Sequence, residues 1–253
     1  MGNENYGVKF GAAGSTLTNN AGGGTFAGTI NGVDARFGNI RAGFAAGYQR
    51  SDVRLNSRAS SAGIDSVQFA AYAGGKFGAV NLRGGTSYSF DSIDANRTVV
   101  FPGFFDQTHA RLDGNVAQVF GEIGYGINID RIAVEPIAGL AYVRIHADRF
   151  AETGGVAALA GLGGNENIGY STLGTRVASA MTLPNGTVLT PWGTVQWQYA
   201  FGEVSPSAAL AFQGTGATFS IGGIPIARNV GVAGRWGRLA FIATNENQSR
   251  LSR

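Results

Sequence analysis

Cysteine is absent from the 253 residues. That removes a disulfide scaffold, thiolate zinc sites and a cysteine nucleophile together. Proline occurs only six times, so the chain is neither collagen-like nor a Pro-Gly disordered segment. Charged residues make up only 14%, where soluble domains carry roughly 25%. Lysine is confined to Lys9 and Lys76. The arginines stand singly along the chain and the net charge is +3, so no polybasic tail forms and nucleic acid is not expected as a partner. No run approaches the roughly 18 apolar residues of a membrane-crossing helix. The opening MGNENYGVKF has neither a basic n-region nor an apolar h-region, so it is not a signal peptide. An exported protein with this sequence is expected to be a mature portion or a fragment.

What the chain has in excess is glycine, 41 residues. Glycine lowers helix propensity throughout and, in strands, permits bulges and close backbone approach. Alternation with period two recurs from end to end. In GAVNLRGGTSYSF one face reads Val80, Leu82, Gly84, Thr86, Tyr88, Phe90, while the other reads Asn81, Arg83, Gly85, Ser87, Ser89. IRAGFAAGY sets Ile40, Phe44 and Tyr48 against Arg41, Gly43 and Gly47. NVAQVFGEIGYGINI sets Val119, Ile123 and Tyr125 against Gln118, Phe120 and Glu122. AVEPIAGLAYVRI sets Leu140 and Tyr142 against Glu135 and Gly139. LTPWGTVQWQYAF sets Val195, Trp197 and Tyr199 against Thr194, Gln196 and Gln198.

Runs of about 9–14 alternating residues exceed the usual soluble strand and match the roughly 9–11 tilted residues that cross a bilayer. The apolar faces end in Tyr48, Tyr88, Tyr125, Tyr142 and Trp197 with Tyr199, which resembles the aromatic girdles of membrane barrels. Short turns are predicted at Phe37-Gly38-Asn39, Phe77-Gly78, Asn128–Arg131 and Pro184-Asn185-Gly186. Long links are predicted at Ser51–Gly63, Asp94–Asp113, His146–Asn167 and Glu203–Gly223. Alternate short and long links make consecutive strands antiparallel neighbours with one long-loop rim. The count is about ten strands, near 7–15, 25–36, 40–54, 64–77, 79–95, 114–128, 131–148, 167–182, 187–202 and 225–234, with an eleventh in Arg238–Thr244. The pattern favours an all-β, antiparallel, up-and-down transmembrane β-barrel over a soluble all-β binding module. A simple outer-membrane pore or structural barrel stays open beside it.

Catalytic, cofactor and metal sites are not expected. The two histidines, His109 and His146, fall in or beside predicted long loops and read as solvated. No G-x-S-x-G elbow occurs. The glycines Gly161, Gly163 and Gly164 lack the βα context of a phosphate cradle. More informative are Arg83, Glu122, Glu135 and Arg176, charged residues near mid-strand on the non-apolar faces. In a barrel all four point into the lumen. There they pair with one another and hydrate the wall, or contact a segment inside the pore. Small residues such as Gly43, Gly47, Gly85 and Gly139 leave luminal space or accommodate curvature.

The runs RTVVFPGFFDQTHARLDGNVAQVFGEIGY (97–125), AVEPIAGLAYVRIHADRFAETGG (133–155), STLGTRVAS (171–179), TLTPWGTVQWQYAFGEVSPSAALAF and PIARN together resemble the autotransporter β-domain, the C-terminal translocator of type V secretion. The resemblance covers roughly residues 20–229 and treats the chain as one domain. It implies a twelve-stranded barrel in the outer membrane of a Gram-negative bacterium, and export or anchoring of a passenger rather than enzyme activity. It also implies outer-membrane lipid, a passenger or linker segment in the lumen, and the barrel assembly machinery as partners. Luminal acidic residues assist linker cleavage in some members. No helical linker is read before Tyr6. The tail GVAGRWGRLAFIATNENQSRLSR departs from the family, which ends on an aromatic residue. The tail, residues 230–253, is expected to be a truncated or out-of-frame ending that does not complete a closed twelve-stranded barrel.

Overall fold

The computed structural model describes residues 6–19, 22–55, 59–182 and 187–241. Glycine and β-branched or aromatic residues at alternating positions leave every regular segment extended. The strands are β1 (Tyr6–Asn19), β2 (Gly22–Phe37), β3 (Ile40–Leu55), β4 (Ser60–Phe77), β5 (Val80–Phe101), β6 (Phe104–Tyr125), β7 (Ile127–Ile129) and β8 (Ile132–Ala147). They continue with β9 (Phe150–Ala151), β10 (Leu159–Gly161), β11 (Gly164–Ser179), β12 (Met181–Thr182), β13 (Thr187–Gly202), β14 (Ser207–Phe212), β15 (Thr218–Gly222) and β16 (Asn229–Phe241).

The main sheet is antiparallel throughout, in the order β1-β2-β3-β4-β5-β6-β8-β11-β13-β16. The short β7 and β12 keep the registers of β6 on β8 and of β11 on β13, so they are continuations of those strands. Among the described residues ten long strands therefore stand where about ten were expected. The strand predicted at 225–234 and the eleventh predicted at 238–244 are one strand, β16, which pairs with β13 from Tyr199↔Asn229 to Thr187↔Phe241. Among the described residues no pairing joins β1 to β16. Residues 242–253 lie outside the described residues.

The short turns expected at 37–39, 77–78 and 128–131 fall at one rim. Gly38 and Gly78 take φ of 59° and 64°, and Asp130 takes 51°, a region that only glycine and, less readily, Asp or Asn occupy at low cost. The turn expected at Pro184-Asn185-Gly186 lies outside the described residues. At the opposite rim the expected long links are corrected. Asp94–Asp113 is not a loop: β5 and β6 run on as a hairpin of two 22-residue strands. It closes at Pro102-Gly103, where proline presets φ and Gly103 takes 83°. The alternation persists through its polar residues, so polarity here does not mark a loop. Ser51–Gly63 is mostly strand too, through Leu55 and from Ser60. The links 146–167 and 203–223 contain β9, β10, β14 and β15, which form a second antiparallel sheet in the order β15-β14-β10-β9.

The two faces of the main sheet differ as the pattern required. Leu82, Phe44, Val119, Leu140 and Val195 are exposed, the last two at 66% and 67%. They follow one parity across registered strands: Phe44 and Val33 are paired, as are Leu82 and Ile123. On β5 this belt runs from Val80 to Phe90, about 11 residues. At ~3.3 Å each and tilted by about 45° it rises ~25 Å, the height of a barrel's lipid band. Above the belt the same face turns charged. Arg50 pairs with Asp65 at 3.0 Å and Arg111 with Asp94 at 3.3 Å. The most buried apolar residues include Ala158, Leu159, Val204, Leu210 and Ala110. Most of this core therefore belongs to the long-loop rim.

Candidate functional site

Arg83, Glu122, Glu135 and Arg176 come together on the face opposite the apolar belt. Register explains the meeting: Arg83 is paired with Glu122, and Glu135 with Arg176. Arg83 donates from Nη1 to Glu122 Oε1 at 2.8 Å and from Nη2 to Glu135 Oε1 at 2.9 Å. Arg176 donates from Nη1 and Nη2 to the two oxygens of Glu122 at 2.8 and 2.7 Å, a bidentate pair. Asn81 Nδ2 adds a bond to Glu135 Oε1 at 2.8 Å. Two carboxylates and two guanidiniums make a neutral quartet. The glutamates are the better buried members, at 18% and 15% side-chain exposure.

Two of these contacts skip a strand. Arg83 on β5 reaches Glu135 on β8 across β6, and Arg176 on β11 reaches Glu122 on β6 across β8. Backbones two strands apart lie ~9.5 Å from each other, so the side chains must converge over the intervening strand. Glycine allows it. Gly139 on β8 is paired with Glu122, and Gly124 on β6 lies directly beneath the Glu135 carboxylate. A second convergence repeats the device. The buried Asp34 on β2 accepts from Arg41 at 2.8 Å and from the Tyr72 hydroxyl on β4 at 3.1 Å, and Tyr72 crosses Gly43 on β3, where a Cβ would meet the ring at 2.8 Å. At Gly43, then, the space left by the missing side chain is filled by an aromatic ring from the next strand.

The long-loop rim carries a cap. Arg97, on the extended part of β5 and on the same face as Arg83, pairs with Glu152 through Nε at 2.9 Å and through Nη2. Glu152 also accepts from the Leu159 amide at 2.9 Å. Asp106 on β6, of the same face, accepts from the Ala157 amide at 2.7 Å. Gln213 donates to the Glu152 and Leu159 carbonyls at 2.6 and 3.0 Å. Residues 148–163 are thus folded onto this face of the hairpin, with residues 203–228 joined to them. Burial pushes the Glu152 carboxyl up, but the bonds from Arg97 and the Leu159 amide outweigh it and hold the group below its usual range.

The autotransporter β-domain family matches residues 6–237. The chain belongs to the autotransporter β-domain family. Two extracellular serine proteases of Serratia marcescens are similar, 31% and 29% identical over 203 residues. Those alignments take in 80% of this β-domain and 19% of each protease, so the chain spans about a fifth of these relatives. Among solved structures, the translocator domain of autotransporter NalP from Neisseria meningitidis superposes with a TM-score of 0.64 at 18% identity, covering 92% of this chain and 86% of that one. The β-domain of the Bordetella autotransporter BrkA gives 0.54 at 15%, covering 92% and 91%. The fold is therefore the antiparallel β-barrel of autotransporter translocators, and the β-domain is an outer-membrane translocator of Gram-negative type.

The β-domain brings all four sequence-chosen residues into one network. His109 is placed differently from expectation, on a strand rather than in a loop, while His146 stands in the strand expected at 131–148. His109 lies on β6 with Nδ1 3.2 Å from Asn96 Oδ1, and His146 on β8 with Nε2 3.0 Å from Asp148 Oδ1. Gly161 ends β10 and Gly164 opens β11. The clasp of Arg97, Asp106, Glu152 and Gln213 escaped the sequence reading. Its one visible signal was continued alternation through 93–112, where Ile93, Ala95, Arg97 and Val99 share a face.

Proposed function

We infer that this β-domain is the membrane-embedded part of a longer exported protein, and that its polar face lines the lumen through which a passenger leaves. The observation that carries this is the pair of faces: an apolar belt ~25 Å high outside, and a charge quartet converging across non-adjacent strands inside. Convergence over an intervening strand belongs to the concave side of a curved sheet.

The short-turn rim faces the periplasm, as in barrels of this kind. β1 starts there, since Tyr6 is paired with Ala35 beside the Gly38 turn. A segment preceding β1 thus approaches the lumen from the periplasmic rim, close to Arg83, Glu122, Glu135 and Arg176. These four residues are the candidate contacts for that segment. Their mutual satisfaction supports a wall-forming role and gives no reason to assign them chemistry. Protease activity is a property of the Serratia relatives by name, and the translocator part has none in this reading. Insertion is by the barrel assembly machinery.

The test is export. A tagged reporter segment is placed before residue 1 behind a signal peptide and expressed in a Gram-negative host. Surface exposure of the tag to antibody and protease on intact cells is expected. A tag retained in the periplasm while the barrel sits in the outer membrane would overturn the translocator role and leave a simple pore.

A further inference from the structure

The outward face of β8 changes character at one point. From Ile132 through Val134, Ala138 and Leu140 to Tyr142 it belongs to the apolar belt, about 11 residues and so ~25 Å high. The next two outward residues are Arg144 and His146. They stand where lipid chains end and headgroups begin, on the long-loop side. His146 lines a cleft of about 380 Å³ with Asp148, Arg149, Leu162 and Asn165, the size of a small-ligand pocket. Asn165 Oδ1 accepts from Arg144 Nη2 at 3.1 Å and lies 2.9 Å from His146 Nδ1. Arg149 donates through Nε to the Leu162 carbonyl at 3.3 Å.

Other arginines above the belt meet carboxylates: Arg50 meets Asp65 and Arg111 meets Asp94. Among the described residues Arg144 and Arg149 meet none, and both are exposed. The acid of the cleft, Asp148, lies 3.0 Å from His146 Nε2. Two guanidiniums without a counter-charge, beside a cleft at headgroup level, fit a phosphate, which guanidinium binds through paired bonds.

A second feature lies below on the same strands. A trough of about 860 Å³ opens in the lipid-facing surface. Its floor holds Gly84 on β5 and Gly121 on β6, which are paired. A Cβ at Gly121 would meet nothing within 4 Å, and one at Gly84 would meet only backbone. Its walls are Leu82, Ile123, Leu140 on β8 and Leu173 on β11, all exposed. Leu140 is four residues below Arg144, ~13 Å along the strand and ~9 Å in height at a tilt of about 45°. Half of the ~25 Å belt is ~12 Å, so trough and cleft lie within one leaflet. A basic cleft above and an apolar trough below match the two ends of one amphiphile.

We propose that β8 and β11 carry a binding site for a single phosphate-bearing acyl lipid of the outer leaflet, with its phosphate between Arg144 and Arg149 and an acyl chain in the trough floored by Gly84 and Gly121. The proposal uses the outer-membrane placement of the barrel and is independent of export. The acyl chain covers backbone that the two glycines leave bare. The phosphate supplies the counter-charge that Arg50 and Arg111 find within the barrel.

The experiment is native mass spectrometry of the β-domain purified from outer membranes into detergent and titrated with phosphatidic acid. One retained lipid per barrel is expected at concentrations where diacylglycerol, which has the chains alone, and inorganic phosphate, which has the head alone, leave none. Arg144→Gln together with Arg149→Gln is expected to weaken retention roughly tenfold, the equivalent of a lost charge-assisted bond. Gly121→Leu fills the trough without touching charge and is expected to weaken it severalfold. The compact band on unheated gels shows that each variant is folded. Unchanged retention in the double arginine variant overturns the proposal, as does equal retention of diacylglycerol. Inorganic phosphate bound as tightly as the lipid overturns it and reduces the cleft to an anion site. Wild-type retention by Gly121→Leu removes the trough from the site and overturns it as well. Lipid-free dimers that grow with protein concentration also overturn it, and assign the trough to a second copy of this chain.

Discussion

The Glu122–Arg176 pair gives a direct measure of how much the charge quartet stabilises the barrel. The perturbation is a double-mutant cycle with Glu122→Gln and Arg176→Met. Arg176 makes two bonds to Glu122, at 2.8 and 2.7 Å, and a longer one to Glu135 at 3.5 Å. Its side chain is 28% exposed and that of Glu122 18%. Charges centred ~4 Å apart attract by about 1 kcal/mol in water and about 4 kcal/mol at an effective dielectric near 20. Partial exposure places the pair between these limits, so a coupling of about 2 kcal/mol is expected. Arg176→Met alone should be worse than the double variant relative to its own background, because it leaves two carboxylates facing one guanidinium. The assay is urea unfolding of the refolded barrel in detergent, followed by loss of the compact band on unheated gels. Raising the salt should shrink the coupling only in part, since half-buried pairs are weakly screened. A coupling below about 0.5 kcal/mol would show that the quartet is a solvated decoration, and the geometric argument from strand-skipping contacts would fail with it.

The absence of native cysteine makes face mapping clean: Glu122→Cys is expected to react with a water-soluble maleimide and Leu140→Cys not, and the reverse pattern would invert the barrel. Leu140→Arg, at an exposed position in the belt, should cost about 2–4 kcal/mol in refolding into bilayers, and a cost near zero would refute the lipid face. The cap should loosen in acid. The Glu152 carboxyl lies below its ordinary value of 4.5 in the folded state, so the stability it contributes is complete above that value and is lost as the pH falls through the lower, folded one. Exchange of 150–161 should therefore quicken below about pH 4.5 in wild type and be fast and pH-flat, after correction for intrinsic rates, in Glu152→Gln. Gly124→Val should displace the Glu135 carboxylate that overlies it, lowering stability by about 1–3 kcal/mol, with Gly121→Ala, where a Cβ meets nothing, near neutral.

Much of the barrel was legible because period-two alternation encodes strand, face and length at once. Arg83 opposite Leu82, and Glu122 opposite Ile123, placed the quartet on one face before any register was known. What could not be read was register itself. That Arg83 meets Glu122, and that Glu135 meets Arg176, depends on pairings 39 and 41 residues apart that no local pattern sets. The rim was misread for a different reason. Outside the belt, strands need no apolar face, so Asp94, Asn96, His109 and Arg111 looked like loop residues while continuing a ladder. The short β9, β10, β14 and β15 span two to six residues each, too few to show a period. What holds them is the burial of Leu159, Val204 and Leu210 and the Gln213 bonds to the Glu152 and Leu159 carbonyls, which link positions 61 and 54 apart.

Those long separations give the cap a meaning in time. Its three parts leave the chain in different hairpins: Arg97 with β5 and β6, Glu152 between β8 and β11, Gln213 between β13 and β16. Each hairpin can form from neighbouring residues, and local closures precede distant ones. The clasp requires the strands from β5 to β13 to stand in order. A conformational antibody that spans the exposed surfaces of residues 148–163 and 203–228 would therefore stain only molecules in which these separate hairpins have already come together, and would count them on the surface of a living cell.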